Sequence, residues 1–271
     1  MFQIQTEEQL MQIRLILFTS VVFIFGGASA TADTYGLVQD GVSGTVPLEA
    51  NADGNAKDNG VYLRIGAGVN LAMDGHIKDF SETQGGVFES YTNQVISFDA
   101  GFEFNVALGI PLAGQWSIEV MTGVAMNGVD SYSENVFVSD PRRSVSGFAT
   151  YDDGDLYQVP IVANLRYEFD LNEALDLGVY AGVGAQYSNL SVSEGELVVP
   201  GVRPLALEDG SGNAWAFRYQ IGVDLAWDIA ANTTLGVNLR YSGTSESAFN
   251  NDFKVESLSN LAIGATFSLT F

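Results

Sequence analysis

The sequence predicts an all-β protein, an eight-stranded antiparallel up-and-down barrel that crosses a membrane with its strands, and three observations carry the prediction. Apolar and polar residues alternate with period two through eight segments, the pattern of strands with one oily and one polar face. The two faces differ in kind. One parity collects 52 residues that are all Val, Leu, Ile, Ala, Met, Phe, Tyr or Trp apart from Thr122, whereas the other carries 11 charged residues and 11 glycines. Third, short and long connections alternate between the segments, as in barrels with short turns on one side of a bilayer and long loops on the other.

Composition narrows the alternatives. In 271 residues with 46% hydrophobic content, no apolar run of about 20 residues follows the first 30, so the chain has no sequence for a spanning helix there. A strand-crossing protein evades that test because every second residue is polar. A net charge of −22 with only 11 Lys and Arg excludes a nucleic-acid partner. The absence of cysteine excludes disulfide scaffolds and thiolate metal sites.

Residues 1–30 are upstream sequence plus a secretory signal. From Met11, "MQIRLILFTSVVFIFGGASA" has a basic start at Arg14, an apolar run Leu15 to Phe25, and a small-residue end Ala28-Ser29-Ala30 that predicts cleavage after Ala30. The preceding "MFQIQTEEQL" puts Glu7 and Glu8 where a signal is basic, which makes Met11 the expected start. Residues 31–60 lack periodicity and are expected to form a flexible periplasmic lead-in. Asn51, Asp53 and Asn55 match the first ligands of a calcium loop, but Ala56 and Tyr62 stand where Gly and Glu belong, so no metal or cofactor is expected.

Residues 61–271 hold the barrel. Val61–Leu71 sets Arg64 against an apolar outer face, and Ile96–Ile110 sets Asp99 and Glu103 against Ile96, Phe98, Phe102 and Phe104. Trp116–Met126 turns Glu119 inward; Tyr157–Phe169 turns in Arg166, Glu168 and Pro160. Since a closed barrel has no edge at which a missing N–H is harmless, Pro160 predicts a bulge near the loop end of that strand. Leu175–Tyr187 carries Asp176, Trp215–Ile229 carries Arg218, Asp224 and Asp228, and Leu235–Tyr241 carries Arg240. The last segment, Leu261–Phe271, alternates strictly to its aromatic final residue. A soluble sandwich would favour Lys, Glu and Thr on its wet face; glycine, Asn and Ser with a few charges suit a crowded, enclosed interior.

Leu112–Gln115, Asp170–Ala174 and Ala230–Asn232 are the short turns; Ala72–Val95, Ser131–Gly154, Ser191–Asn213 and Gly243–Glu256 are the long loops. This order leaves both ends of the barrel on the short-turn side. Trp116, Tyr167, Phe169, Trp227, Phe267 and Phe271 gather at the turn end, and Phe98, Tyr187, Trp215, Phe217 and Tyr241 at the loop end, as two interfacial girdles.

The inward charges Arg64, Asp99, Glu103, Glu119, Arg166, Glu168, Asp176, Arg218, Asp224, Asp228 and Arg240 are expected to form an interior polar network rather than an acid–base site, because a charge enclosed in a narrow barrel must be paired or solvated. Counting from the turns places Arg240 beside Asp224, and Arg166 beside Glu119. His76, the single histidine, lies in the first loop with Asp74 and Ser81 nearby. Asp152, Asp153 and Asp155 cluster at the mouth of the fourth strand, and all four long loops are net negative.

Together the signal peptide, the eight alternating segments and the closing strand "ATFSLTF" resemble the small outer-membrane β-barrels of the OmpA/OmpX and opacity types. The hairpin "AWAFRYQIGVDLAWDIAANTTLGVNLRYS" is similar to the penultimate hairpin of the opacity-like branch. The resemblance implies a monomer in the outer membrane of a Gram-negative cell, in contact with lipid and lipopolysaccharide. It also implies that Phe267, Leu269 and Phe271 form an address read by the barrel-assembly machinery. Members of the OmpA type often carry a peptidoglycan-binding domain after the barrel, and none is expected in this chain. Some small barrels are surface lipid A acyltransferases or proteases with a rim histidine, but "DGHIKDF" has the spacing of neither. The expected function is therefore non-enzymatic: a barrel presenting long acidic extracellular loops for envelope integrity, adhesion or partner binding. The alternative is a narrow porin-like channel, since each inward glycine removes a side chain from the lumen.

Overall fold

A computed structural model describes residues 60–84, 87–139, 144–249 and 253–271. The signal segment, the lead-in and the calcium-loop-like Asn51, Asp53 and Asn55 lie outside the described residues. In chain order the strands are β1 (Tyr62–Ala72), β2 (Gly75–Ile77), β3 (Phe80–Gln84), β4 (Val87–Phe98), β5 (Ala100–Pro111), β6 (Trp116–Ser139) and β7 (Ser144–Asn172). They continue with β8 (Leu175–Val198), β9 (Leu205–Ala206), β10 (Gly210–Ala230), β11 (Thr233–Thr244), β12 (Ser247–Phe249), β13 (Phe253–Val255) and β14 (Ser259–Thr270). Eight of them, β1, β5, β6, β7, β8, β10, β11 and β14, pair antiparallel around a ring that β14 closes against β1 from Tyr62↔Thr270 to Ala72↔Asn260. Closure leaves the ring without an edge strand.

Burial is inverted relative to a water-soluble domain. Ile221 is 60% exposed, Val183 55% and Ile263 52% on the outer face, while Arg166 and Gln158 are fully buried within. An apolar outer face with polar side chains in the interior is what lipid demands of a barrel. From Trp116 to Met126 the outward parity of β6 takes ten steps; at about 3.3 Å each and a tilt of about 40°, they rise about 25 Å, the height of such a barrel's apolar band. Trp116, Tyr167 and Phe169 touch ring to ring at the turn end, with centroids 4.8 and 4.6 Å apart, and Tyr187 meets Trp215 at 5.5 Å at the loop end.

Three expectations are corrected. Ile96 does not face lipid: it is fully buried. The pairing of β4 with β6 shifts between Ser97 and Phe98, and the strand breaks at Asp99 before β5 begins. One extra residue reverses which side each neighbour faces, so Asp99 itself lies exposed at the break, outside the interior. Pro160 makes no bulge, because β7 keeps one register against β6 on both sides of it, Thr122↔Ile161 and Ala125↔Gln158. The Pro160 carbonyl instead accepts a 2.9 Å hydrogen bond from the Thr122 hydroxyl, which gives the one threonine on the outward parity a partner. Finally, the long loops are largely sheet: β6, β7 and β8 run on well past the girdle, and β3, β4 and β9 extend the same layer.

Short strands β2, β12 and β13 close over the long-loop mouth, joined by Val255↔Ile77 and by the Lys78–Glu246 ion pair. Ile77, Ile96, Val129, Leu156, Leu190, Phe249, Val255 and Leu258 pack there as a buried apolar cap.

Candidate functional site

Below that cap the interior is crossed by side chains. In the layer nearest the turns, Arg166 on β7 grips both carboxylate oxygens of Asp224 on β10, with Nη2 to Oδ2 at 2.6 Å, and its Nε reaches Glu168 at 2.9 Å. Arg64 on β1 lies 3.1 Å from Glu119 on β6 and 3.5 Å from Asp224. Tyr62 donates to Glu119 at 2.8 Å. The neighbour pairs counted from the turns are thus replaced by pairs across the lumen: Arg166 takes Asp224 rather than Glu119, and Arg240 on β11 takes Glu103 on β5 at 2.5 Å rather than Asp224. A long guanidinium reaches past the adjacent strand to a partner two or three places round the ring.

The next layer spans the full width. Arg240 Nη1 lies 3.2 Å from the Met121 sulfur on β6, four places round the eight-strand ring. Gln220 on β10 donates to Asn164 on β7 at 2.7 Å, and Asn238 to the Tyr180 hydroxyl at 2.9 Å. Higher still, Asn70 donates to Asn127 at 2.6 Å, and Arg218 Nη1 donates to Gln186.

The inward glycines hold room for these spans. A Cβ on Gly178 would fall 2.2 Å from the Arg166 guanidinium, and one on Gly109 would fall 2.0 Å from the Tyr62 ring. Glycine here seats a large neighbour, which reverses the inference that each glycine opens the lumen.

Eight of the eleven predicted interior charges are buried: Arg64, Glu103, Glu119, Arg166, Asp176, Arg218, Asp224 and Arg240. Glu168 and Asp228 sit half-buried at the turn end, where Thr234 donates to Asp228 at 3.2 Å, and Asp99 is the exposed exception described above. Met121, Asn70, Asn164 and Gln220 were on the inward parity and could have been found from it; which side chain meets which could not, since register fixes neighbours and not reach.

A model of the outer membrane protein β-barrel domain matches residues 20–271. The chain belongs to this family. It is accordingly a small barrel of the bacterial outer membrane. Among solved structures it is similar to Neisserial surface protein A, with 14% identity, 78% of this chain and 97% of that one covered, and a TM-score of 0.46. It is also similar to the outer membrane protease OmpT from Escherichia coli, with 13% identity, 79% and 97% covered and a TM-score of 0.46. Ail, the attachment invasion locus protein of Yersinia pestis, matches at 15% identity, with 78% and 100% covered and a TM-score of 0.37. No curated protein matches the chain.

Membership fixes the long-loop side as extracellular, and there the extended hairpins form a continuous sheet. Its outward face carries Phe88, Phe137, Phe148 and Val198 on four adjacent strands, each 38–44% exposed, with the Phe88 and Phe137 rings edge to face at 6.2 Å. On its inward face Tyr132 donates to Glu134 at 2.7 Å, and burial pushes the Glu134 carboxyl above its ordinary range. His76 points outward from β2, and its carbonyl accepts the Glu256 N–H at 2.9 Å. Asp152, Asp153 and Asp155 are exposed along β7 where the hairpin leaves the barrel wall; Asp153 accepts its neighbour's Gly154 N–H at 2.8 Å. Among the described residues no three His, Cys, Asp or Glu side chains converge as metal ligands.

Proposed function

We propose that this barrel is a closed, non-enzymatic anchor whose ordered extracellular sheet is the working surface, serving envelope integrity, adhesion or partner binding. The observation that carries this reading is the set of hydrogen bonds and ion pairs across the lumen, above all Arg240 to Glu103 and Met121 and Arg166 to Asp224, beneath an apolar cap. A barrel filled this way supports presentation rather than conduction. The exposed row Phe88, Phe137, Phe148 and Val198 stands well beyond the lipid-facing band, where rings in water favour a binding partner. Lipopolysaccharide is the nearest partner, and Phe267, Leu269 and Phe271 on the closing strand serve the assembly machinery.

The test removes the surface and keeps the barrel. Replacing residues 134–149 by a short turn should leave membrane insertion intact while abolishing surface attachment or envelope-barrier rescue in a strain lacking the protein. Full rescue by the shortened barrel would overturn the proposal.

A further inference from the structure

One interior position is unlike the rest. A cavity of about 10 Å³ between the middle layer and the cap is lined by Arg218, Arg240, Glu103, Gln158, Asn70 and Asn260, among others. Two guanidiniums face one carboxylate, so this layer carries an excess positive charge, and Glu103 is already engaged by Arg240 Nη2. Around the cavity, donors outnumber acceptors. Arg218 Nε, Arg240 Nε, Asn260 Nδ2 and Gln158 Nε2 are buried without a protein partner, and each belongs to a residue no more than 4% exposed. Gln158 Oε1 is the only unpartnered acceptor among these lining side chains. The charge needed for balance lies elsewhere, since the layer near the turns holds Glu119, Glu168 and Asp224 against Arg64 and Arg166.

Buried donors without acceptors are destabilising, the more so when charged. A neutral water corrects the hydrogen bonding but not the charge; a monatomic anion corrects both. We propose that the barrel encloses a halide-sized monovalent anion, chloride by class, held by Arg218, Arg240, Gln158 and Asn260. The cavity has room for one small species and lies beneath the apolar cap. Anion binding of this kind is structural: it stabilises the native barrel in proportion to ln(1 + [L]/Kd).

The whole barrel is refolded into detergent in sodium chloride, sodium bromide or sodium gluconate at equal ionic strength, and its urea midpoint is measured. A halide present at about a hundredfold over its dissociation constant raises the folding equilibrium constant about a hundredfold over gluconate. Crystals grown in bromide should show an anomalous peak between Arg218 and Arg240. Gln158→Leu, which removes two of the cavity's polar atoms without changing charge, should abolish most of the halide dependence; Arg218→Gln should do the same. Equal midpoints in halide and gluconate, a halide effect unchanged in Gln158→Leu, or a peak that is water alone would each overturn the proposal.

Discussion

Replacing Asp224 by Asn tests whether the lumen is dry. Asp224 is 2% exposed and serves two cations at once, Arg166 through both oxygens and Arg64 at 3.5 Å. With charge centres about 4 Å apart and an effective dielectric of about 20, each attraction is about 4 kcal/mol before desolvation. Breaking a buried pair from one side costs about 3–5 kcal/mol net, and Asp224→Asn falls at the upper end because two guanidiniums then face each other across an amide. Arg166→Gln falls at the lower end, since Asp224 keeps Arg64 and the Glu168 side chain is 43% exposed to solvent. The double variant Arg166→Gln/Asp224→Asn is therefore expected to be more stable than Asp224→Asn alone. Equilibrium urea unfolding of the refolded barrel, followed by tryptophan fluorescence, gives the three differences. If each variant lost less than about 1 kcal/mol, as solvent-exposed pairs do, water would have to be screening the network and the closed interior would be wrong.

Three further outcomes follow from the same structure. Ile263→Arg puts a charge on the lipid face and should cost about 2–4 kcal/mol near midplane, whereas Ile263→Leu should be neutral by the same unfolding assay; equal tolerance would refute the facing. Because burial raises the Glu134 carboxyl, the folded hairpin holds its proton more tightly than the unfolded chain, so hairpin stability declines as pH rises from the ordinary carboxylate range through the raised value. Glu134→Gln keeps an acceptor for Tyr132 and should flatten that dependence in hydrogen exchange of β6 and β7; an unchanged slope would assign it to another group. Deleting Phe271, whose N–H binds the Val61 carbonyl at 2.9 Å while its side chain is 77% exposed, should slow assembly in cells and leave detergent refolding nearly unchanged.

The barrel was legible because lipid imposes a rule on every second residue. Val183, Ile221 and Ile263 could be assigned a side by parity alone, and so could Arg166 and Asp224. Parity fails where the strand slips by one residue, and at Ser97–Asp99 nothing in composition marks the slip, so Ile96 and Asp99 exchanged sides. The interior pairs were illegible for a different reason. Arg240 meets Glu103 and Met121 because its side chain crosses the lumen, a distance set by barrel width and by the space that residues such as Gly109 and Gly178 leave. Polar Ser and Thr in the long connections concealed the extended sheet, whose β6–β7 pairing continues to Ser139↔Ser144.

The central claim is that side chains close this barrel. Single-molecule conductance of the refolded, full-length barrel in a planar lipid bilayer examines it without any substitution. The cross-lumen network Arg64, Arg166, Arg240, Glu103, Glu119 and Asp224 predicts no steady current above the bare membrane in molar salt. A steady, cation-preferring current that falls when Asp224 and Asp228 are neutralised would contradict the account and make the protein a channel.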